Sequence, residues 1–189
     1  MSRTTKTALS LVAAAFLAGC AGGAQRAIGE LETTPAGGDA FTQSLAQEYL
    51  ALAEREYDLL DYQDAQHFAQ KGLSAASGQA VGPDPLGMRT LQSQFAEEAA
   101  ALRAETVDYI DRFQGSEPEQ AARAQALFDC SFEEYEEYWQ VERQPFRLSA
   151  CLDELQAMLE EGMPATVSLA ADVLFAFDRA EIKPEFEGV

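Results

Sequence analysis

The sequence predicts a mainly α chain, a hairpin array or bundle of five helices followed by a short strand. Three observations carry this. Apolar residues between Phe41 and Leu159 recur three, four and seven positions apart. Capping and breaking residues interrupt that pattern at short intervals. Beyond residue 164 the apolar spacing shortens toward that of a strand.

The first helix carries Phe41, Leu45, Tyr49, Leu52 and Leu59 on one stripe. Asp61 can cap the second, with Asp64 at its third position and Ala65, Phe68, Ala69, Leu73 and Ala76 on one face. A breaker-rich loop from Gly78 ends in Asp84-Pro85, which reads as a cap and a first-turn proline opening the third helix. That helix uses Met88, Leu91, Phe95, Leu102, Tyr109, Ile110 and Phe113, and Gly115 stops it. Ser116-Glu117-Pro118-Glu119 has capping-box form and opens the fourth, with Ala124, Leu127, Phe128, Phe132, Tyr135 and Trp139. The fifth follows Pro145, carries Leu148, Cys151, Leu152, Leu155 and Leu159, and ends near Gly162-Met163-Pro164. Val167, Leu169, Val173, Phe175 and Phe177 then read as a short strand.

The N-terminus has a different character. Arg3 and Lys6 form a basic head, and Ala8 to Ala18 is an apolar run broken by Ser10, too short to cross a bilayer but sized for a signal h-region. It closes on Leu17-Ala18-Gly19-Cys20, which resembles a bacterial lipoprotein signal. The resemblance implies cleavage of residues 1–19 and a lipid, diacylglycerol with further acyl chains such as palmitate, on the Cys20 thiol. The other reading is an ordinary secretory signal cut nearby. Residues 20–40, rich in Gly, Ala, Thr and Pro, read as a flexible tether reaching roughly 25 Å. Residues 41–164 then form the helical domain, and 165–189 the start of a second.

Removing Arg3 and Lys6 from the 13 basic residues leaves 11 against 32 acidic ones. A surface that negative repels phosphate backbones and anionic headgroups, so nucleic acid is excluded as a partner and membrane contact must come through the lipid. One acyl chain binds only reversibly, so stable anchoring needs several on Cys20. With Cys20 lipidated, Cys130 and Cys151 remain as one pair for a disulfide in an oxidising compartment. The alternative is two free buried thiols. An antiparallel hairpin turning near residues 140–145 leaves the two cysteines roughly 10 Å out of register, so either the intervening segment climbs back or the fifth helix starts late.

The hairpin from Tyr49 to Ala76 places Tyr49, Leu52, Ala53, Ala65 and Gly72 at positions that resemble one tetratricopeptide unit, though no second copy follows. A generic helical hairpin fits the same residues. The run Val173-Leu174-Phe175-Ala176-Phe177-Asp178-Arg179-Ala180-Glu181-Ile182-Lys183-Pro184 resembles the opening of the OmpA-like C-terminal domain. Ala121 to Gln140 and Asp64 to Lys71 are similar to helical regions of alphaproteobacterial OmpA-family lipoproteins. The resemblance implies an outer-membrane lipoprotein facing the periplasm, non-enzymatic and without cofactor, that ties the membrane to peptidoglycan through an α/β domain. The aspartate and arginine that grip peptidoglycan in that family lie in motifs beyond Val189, so no peptidoglycan-binding residue is assigned here. The chain is then a truncated form, or its helices have a job of their own as a scaffold for an envelope protein.

Other constellations carry less chemistry. Asp129, Glu133, Glu134, Glu136, Glu137 and Glu142 form an acidic run that reads as a solvated face rather than a metal site, since the oxygen-ligand spacing of an EF-hand is missing. Two carboxylates opposed across a cleft, as glycoside hydrolysis needs, are not supplied by one exposed helix. His67, the one histidine, sits beside Phe68 as a boundary residue. Tyr135 and Trp139 read as core, with Tyr138 partly exposed. No catalytic or metal-binding residue is assigned.

Overall fold

A computed structural model describes residues 21–141 and 150–162. The signal segment, Cys20 and the expected strand lie outside the described residues, as do the side chains of Tyr138 and Trp139. Six helices and no strand occur among those described: α1 (21–33), α2 (Ala40–Asp58), α3 (Tyr62–Ala76), α4 (Ser93–Phe113), α5 (Pro118–Val141) and α6 (Ala150–Glu161). A 3-10 turn, Leu86–Met88, lies in the long α3–α4 connection.

Helices α2 and α3 form the hairpin that the periodicity predicts. Asp39 caps α2 through Oδ1, which accepts from Thr42 N at 2.8 Å, and Asp61 caps α3 by accepting from Gln63 and Asp64. Both helices end in the same turn, in which backbone N–H groups reach back to the last free carbonyls. After α3 the left-handed position is Gly78, with φ +78°; after α2 it is Leu60, with φ 68°. Gly78 also packs against Gly38, where a Cβ would meet its Cα at 2.8 Å.

Helix α5 is the centre, packing on α2, α4 and α6. From Ala121 to Tyr135 every residue but Arg123 is buried. Small residues on most sides (Ala121, Ala122, Ala124, Ala126) let neighbours approach all round, while Leu127, Phe128 and Phe132 fill the core with Leu45, Tyr49, Phe68 and Leu155. Phe128 and Phe132 stack with centroids 5.7 Å apart.

Three expectations need correction. The 20–40 stretch is not a free tether: 21–33 is helical, and Ala24, Ala27 and Leu31 are buried. Leu31 packs where Gly72 of α3 lacks a side chain, and Gly37 N donates to Ala76 O at 2.7 Å. Packing thus overrides the poor helix propensity of the glycines at 22, 23 and 29. Helix α4 starts at Ser93 rather than after Asp84-Pro85, because the Asp84 carboxylate turns inward instead of capping. Helix α6 starts at Ala150, later than Pro145, which places Cys151 in its first turn and removes the register conflict with Cys130.

Candidate functional site: a buried ionic network on the central helix

Gln125, Asp129 and Glu133 recur every four residues along α5, with Glu136 three further on, and so form one stripe. Four other segments meet it with polar groups. The stripe divides into two halves.

The upper half is centred on Asp129, which is fully buried. Its Oδ2 accepts from Tyr49 Oη at 2.6 Å and from Lys71 Nζ at 2.5 Å; its Oδ1 accepts from Asp84 N at 2.7 Å. Lys71 Nζ also donates to Asp84 Oδ1 at 2.5 Å and to Gly82 O at 3.1 Å, so all three ammonium protons have acceptors. The same ammonium lies 4.9 Å from the centroid of the Tyr49 ring. His67 Nε2 pairs with Asp84 Oδ2 at 2.9 Å. Gln125 Nε2 donates to Tyr49 Oη and to Val81 O, and Arg103 donates to Pro83 O and Asp84 O. The 81–84 backbone, which crosses the bundle without secondary structure, thereby finds partners for its carbonyls.

Burial pushes the Asp84 carboxyl up, yet the His67 hydrogen bond and the Lys71 charge outweigh it and hold the group below its ordinary value. For Asp129 burial wins over the Lys71 charge, and the carboxyl titrates above the usual range. Burial and the neighbouring Asp129 raise the Tyr49 phenol well above its ordinary value, so it serves as a donor.

The lower half is more crowded with carboxylates. Arg89 pairs with Asp64 and, through Nη1 at 2.9 Å, with Glu136, whose other oxygen accepts from Thr90 N. Arg55 Nη2 lies 3.0 Å from Glu134 Oε1. Its Nη1 stands 2.6 Å from Cys130 Sγ and 2.9 Å from Cys151 Sγ. The two sulfurs are bonded to each other, with Cα atoms 6.0 Å apart. Burial, reinforced by the charges of Glu56, Glu137 and Asp64, raises Glu133 to about 9. Burial raises Glu56 to about 7 against the charge of Arg55.

The described part of the acidic run is therefore not a solvated face; Glu142 lies outside the described residues. Asp129, Glu133 and Glu134 are buried, and Glu136 and Glu137 half-buried, because their helix is central and their cations come from α2, α3 and the α3–α4 connection. Lys71, Asp84, Arg89, Arg55 and Arg103 escape sequence reasoning. One signal does exist: Lys71 falls three residues after Phe68, on the apolar face of its own helix. Asp129 likewise sits inside the Gln125–Phe128–Phe132 stripe.

Chemically, the upper half is saturated. His67 is half-buried against Asp84, and among the described residues no serine or cysteine is bonded to it. Cys130, Glu134 and Cys151 are the one group among the described residues whose ligand atoms converge as a metal would require. Their sulfurs are joined to each other, and a guanidinium occupies the approach, so the group does not fit a cation. Tyr135 is core, stacked on Phe95 with its hydroxyl donating to Glu98 at 2.9 Å. Cys20 lies outside the described residues.

Comparison with protein-family models, with curated proteins and with solved structures finds no match in any of the three.

Proposed function

We propose that this chain is the helical body of a lipid-anchored cell-envelope protein, held on the periplasmic side of the outer membrane through Cys20. One observation carries the reading: a basic head, an eleven-residue apolar run and Leu17-Ala18-Gly19-Cys20 follow in the order a lipoprotein signal requires. The bonded Cys130–Cys151 pair suits an oxidising compartment. Among the described residues no helix is long and apolar enough to cross a membrane; in this reading the lipid on Cys20 supplies the attachment.

Helix formation from residue 21 alters the geometry of that anchor. With residue 21 already helical and α1 packed on α3, the body stands at the bilayer rather than on a loose leash. Its acidity keeps it from lying flat on anionic headgroups. The OmpA-like reading of Val173 to Pro184 belongs to the same proposal. With that domain completed, the protein ties the outer membrane to peptidoglycan, and α1–α6 act as a non-enzymatic spacer.

The test replaces Cys20 by Ser and follows labelled palmitate and membrane fractionation. The reading expects the label to vanish and the protein to appear in the soluble periplasm. A variant that stays with the membrane contradicts it.

A second reading, a scaffold that binds an envelope protein, is favoured by a groove of about 520 Å³ between α4 and α6. Leu102 and Leu159 lie among its lining, with Glu98, Glu105, Asp108 and Glu160 around them. The tetratricopeptide-like positions of the α2–α3 hairpin suit the same role. Affinity capture with the Cys20→Ser protein from an envelope extract, and with a groove variant such as Glu105→Lys, separates the two. A stoichiometric partner lost in the groove variant supports the scaffold; equal yields remove the groove from it.

A further inference from the structure

The carboxylates and the ammonium of the upper half are saturated, but the Gln125 amide is not. Val81 O can only accept, which fixes the amide nitrogen as the end that donates to it and to Tyr49 Oη. The Oε1 of Gln125 has no hydrogen-bond partner among the described residues, although the residue is 1 % exposed. An amide oxygen so deep in a fold is costly unless a donor meets it. Gln125 also lines a cavity of about 340 Å³, which gives such a donor a place.

The cavity follows from the layout of the bundle. Helices α2 and α4 both pack on α5 but hardly on each other, which leaves a gap between the first turn of α2 and the last turns of α4. Phe41 of α2 and Val107 and Ile110 of α4 supply apolar walls. The 80–83 segment supplies another, tied down at three successive carbonyls by Gln125, Lys71 and Arg103. A largely apolar hollow with a few placed polar groups is the form that small-ligand sites take. The charge of the lining has one sign: Asp39 and Asp111 belong to it, and no lysine, arginine or histidine does. Asp39 caps α2 and so offsets the positive end of that helix, while the C-terminal turns of α4 add partial negative charge. The Lys71 ammonium, bonded to the same segment, is fully committed to its three acceptors.

We propose that this cavity binds a small organic cation, a primary ammonium carried on a short hydrocarbon arm. The ammonium donates to Gln125 Oε1 and is drawn by the charges of Asp39 and Asp111, while the arm covers Phe41, Val107 and Ile110. A neutral alcohol of the same length satisfies the amide oxygen but leaves the two charges unanswered. A carboxylate of that length faces two like charges. The inference stands apart from the lipid anchor and holds or fails without it.

The test uses the Cys20→Ser protein at neutral pH and physiological salt, titrated with pentylammonium chloride, pentanol or sodium pentanoate. Calorimetry reads the affinity, and chemical shifts of isotope-labelled protein read the place. Pentylammonium should bind with a Kd of about 1 mM or tighter, pentanol about tenfold more weakly, and pentanoate not at all. The Gln125 side-chain amide and the backbone amides of Val81 and Gly82 should shift. Val107→Trp, which fills the cavity, should abolish binding. Asp111→Asn, a change at an exposed side chain, should keep the far-ultraviolet circular dichroism and weaken binding about threefold. Glu105→Gln removes the same charge from the same helix outside the cavity lining, and should bind as the parent does. Pentylammonium that gives neither heat nor shifts overturns the proposal, as does binding that survives Val107→Trp. So does a pentanol Kd equal to that of pentylammonium. An equal loss in Glu105→Gln and Asp111→Asn also overturns it and identifies adsorption to the acidic surface instead.

Discussion

Lys71 and Asp129, 58 positions apart in sequence, meet in the core with Nζ 2.5 Å from Oδ2; the Asp129 side chain is fully buried and the Lys71 side chain 10 % exposed. This pair joins α3 to α5 and, through Asp84 and Gly82, fastens the connection that crosses between them.

Replacing Lys71 by Met leaves Asp84 and Asp129 buried together with one cation fewer. Removing one member of a buried pair costs about 3–5 kcal/mol, so urea unfolding of Lys71→Met should show a loss of that size. The double variant Lys71→Met/Asp129→Asn should recover part of it. Equal stability of wild type and Lys71→Met contradicts the role given to the ammonium.

How much of this the sequence discloses depends on where the partners lie. Helices α2, α3 and α5 are legible because their apolar residues repeat within the helix itself, and the cap Asp61 lies next to the helix it opens. Helix α1 is hidden by its glycines; Ala24, Ala27 and Leu31 keep helical spacing, but only docking against Gly72 gives that spacing a purpose. The acidic run misleads for a related reason. Exposure of a carboxylate is set by cations 40 to 80 residues away, such as Arg89 for Glu136 and Arg55 for Glu134, and no local pattern announces them. Asp84-Pro85 has the form of a helix start, yet its carboxylate does more for the fold inside than at a cap.

Glu133 and Glu56 set a pH dependence. Both folded-state values, about 9 and about 7, lie above the ordinary 4.5, so the folded protein holds protons that the unfolded chain has released. Their contribution is complete below pH 4.5 and declines as pH rises, through 7 for Glu56 and through 9 for Glu133. Unfolding should therefore show stability falling as pH rises from 4.5 through about 9. Glu133→Gln should flatten that slope. A slope that survives in Glu133→Gln assigns it to other groups.

Leu60 holds a left-handed conformation at φ 68° with its side chain 70 % exposed. A side chain there is strained and packs against little. Leu60→Gly, which copies the turn at Gly78, should raise stability by about 0.5–1 kcal/mol, measured as a shift in the urea midpoint. A drop in the midpoint contradicts that account of the turn.

Cys130 and Cys151 close a loop with a sequence separation of 21. Unfolding in a phosphine reductant, or of Cys130→Ser/Cys151→Ser, should lose roughly 3 kcal/mol. The α5–α6 pairing and the Arg55 contacts should loosen first, seen as faster amide exchange in α6. Identical curves with and without reductant contradict the bond's contribution.

The account rests most heavily on what happens to Cys20. Mass spectrometry of the protein isolated from its native membranes, with the N-terminal peptide sequenced, addresses this directly. The account predicts a mature chain that begins at Cys20 and carries a diacylglycerol thioether with a further acyl chain. A chain that retains residues 1–19, or one whose Cys20 thiol is unmodified, contradicts it.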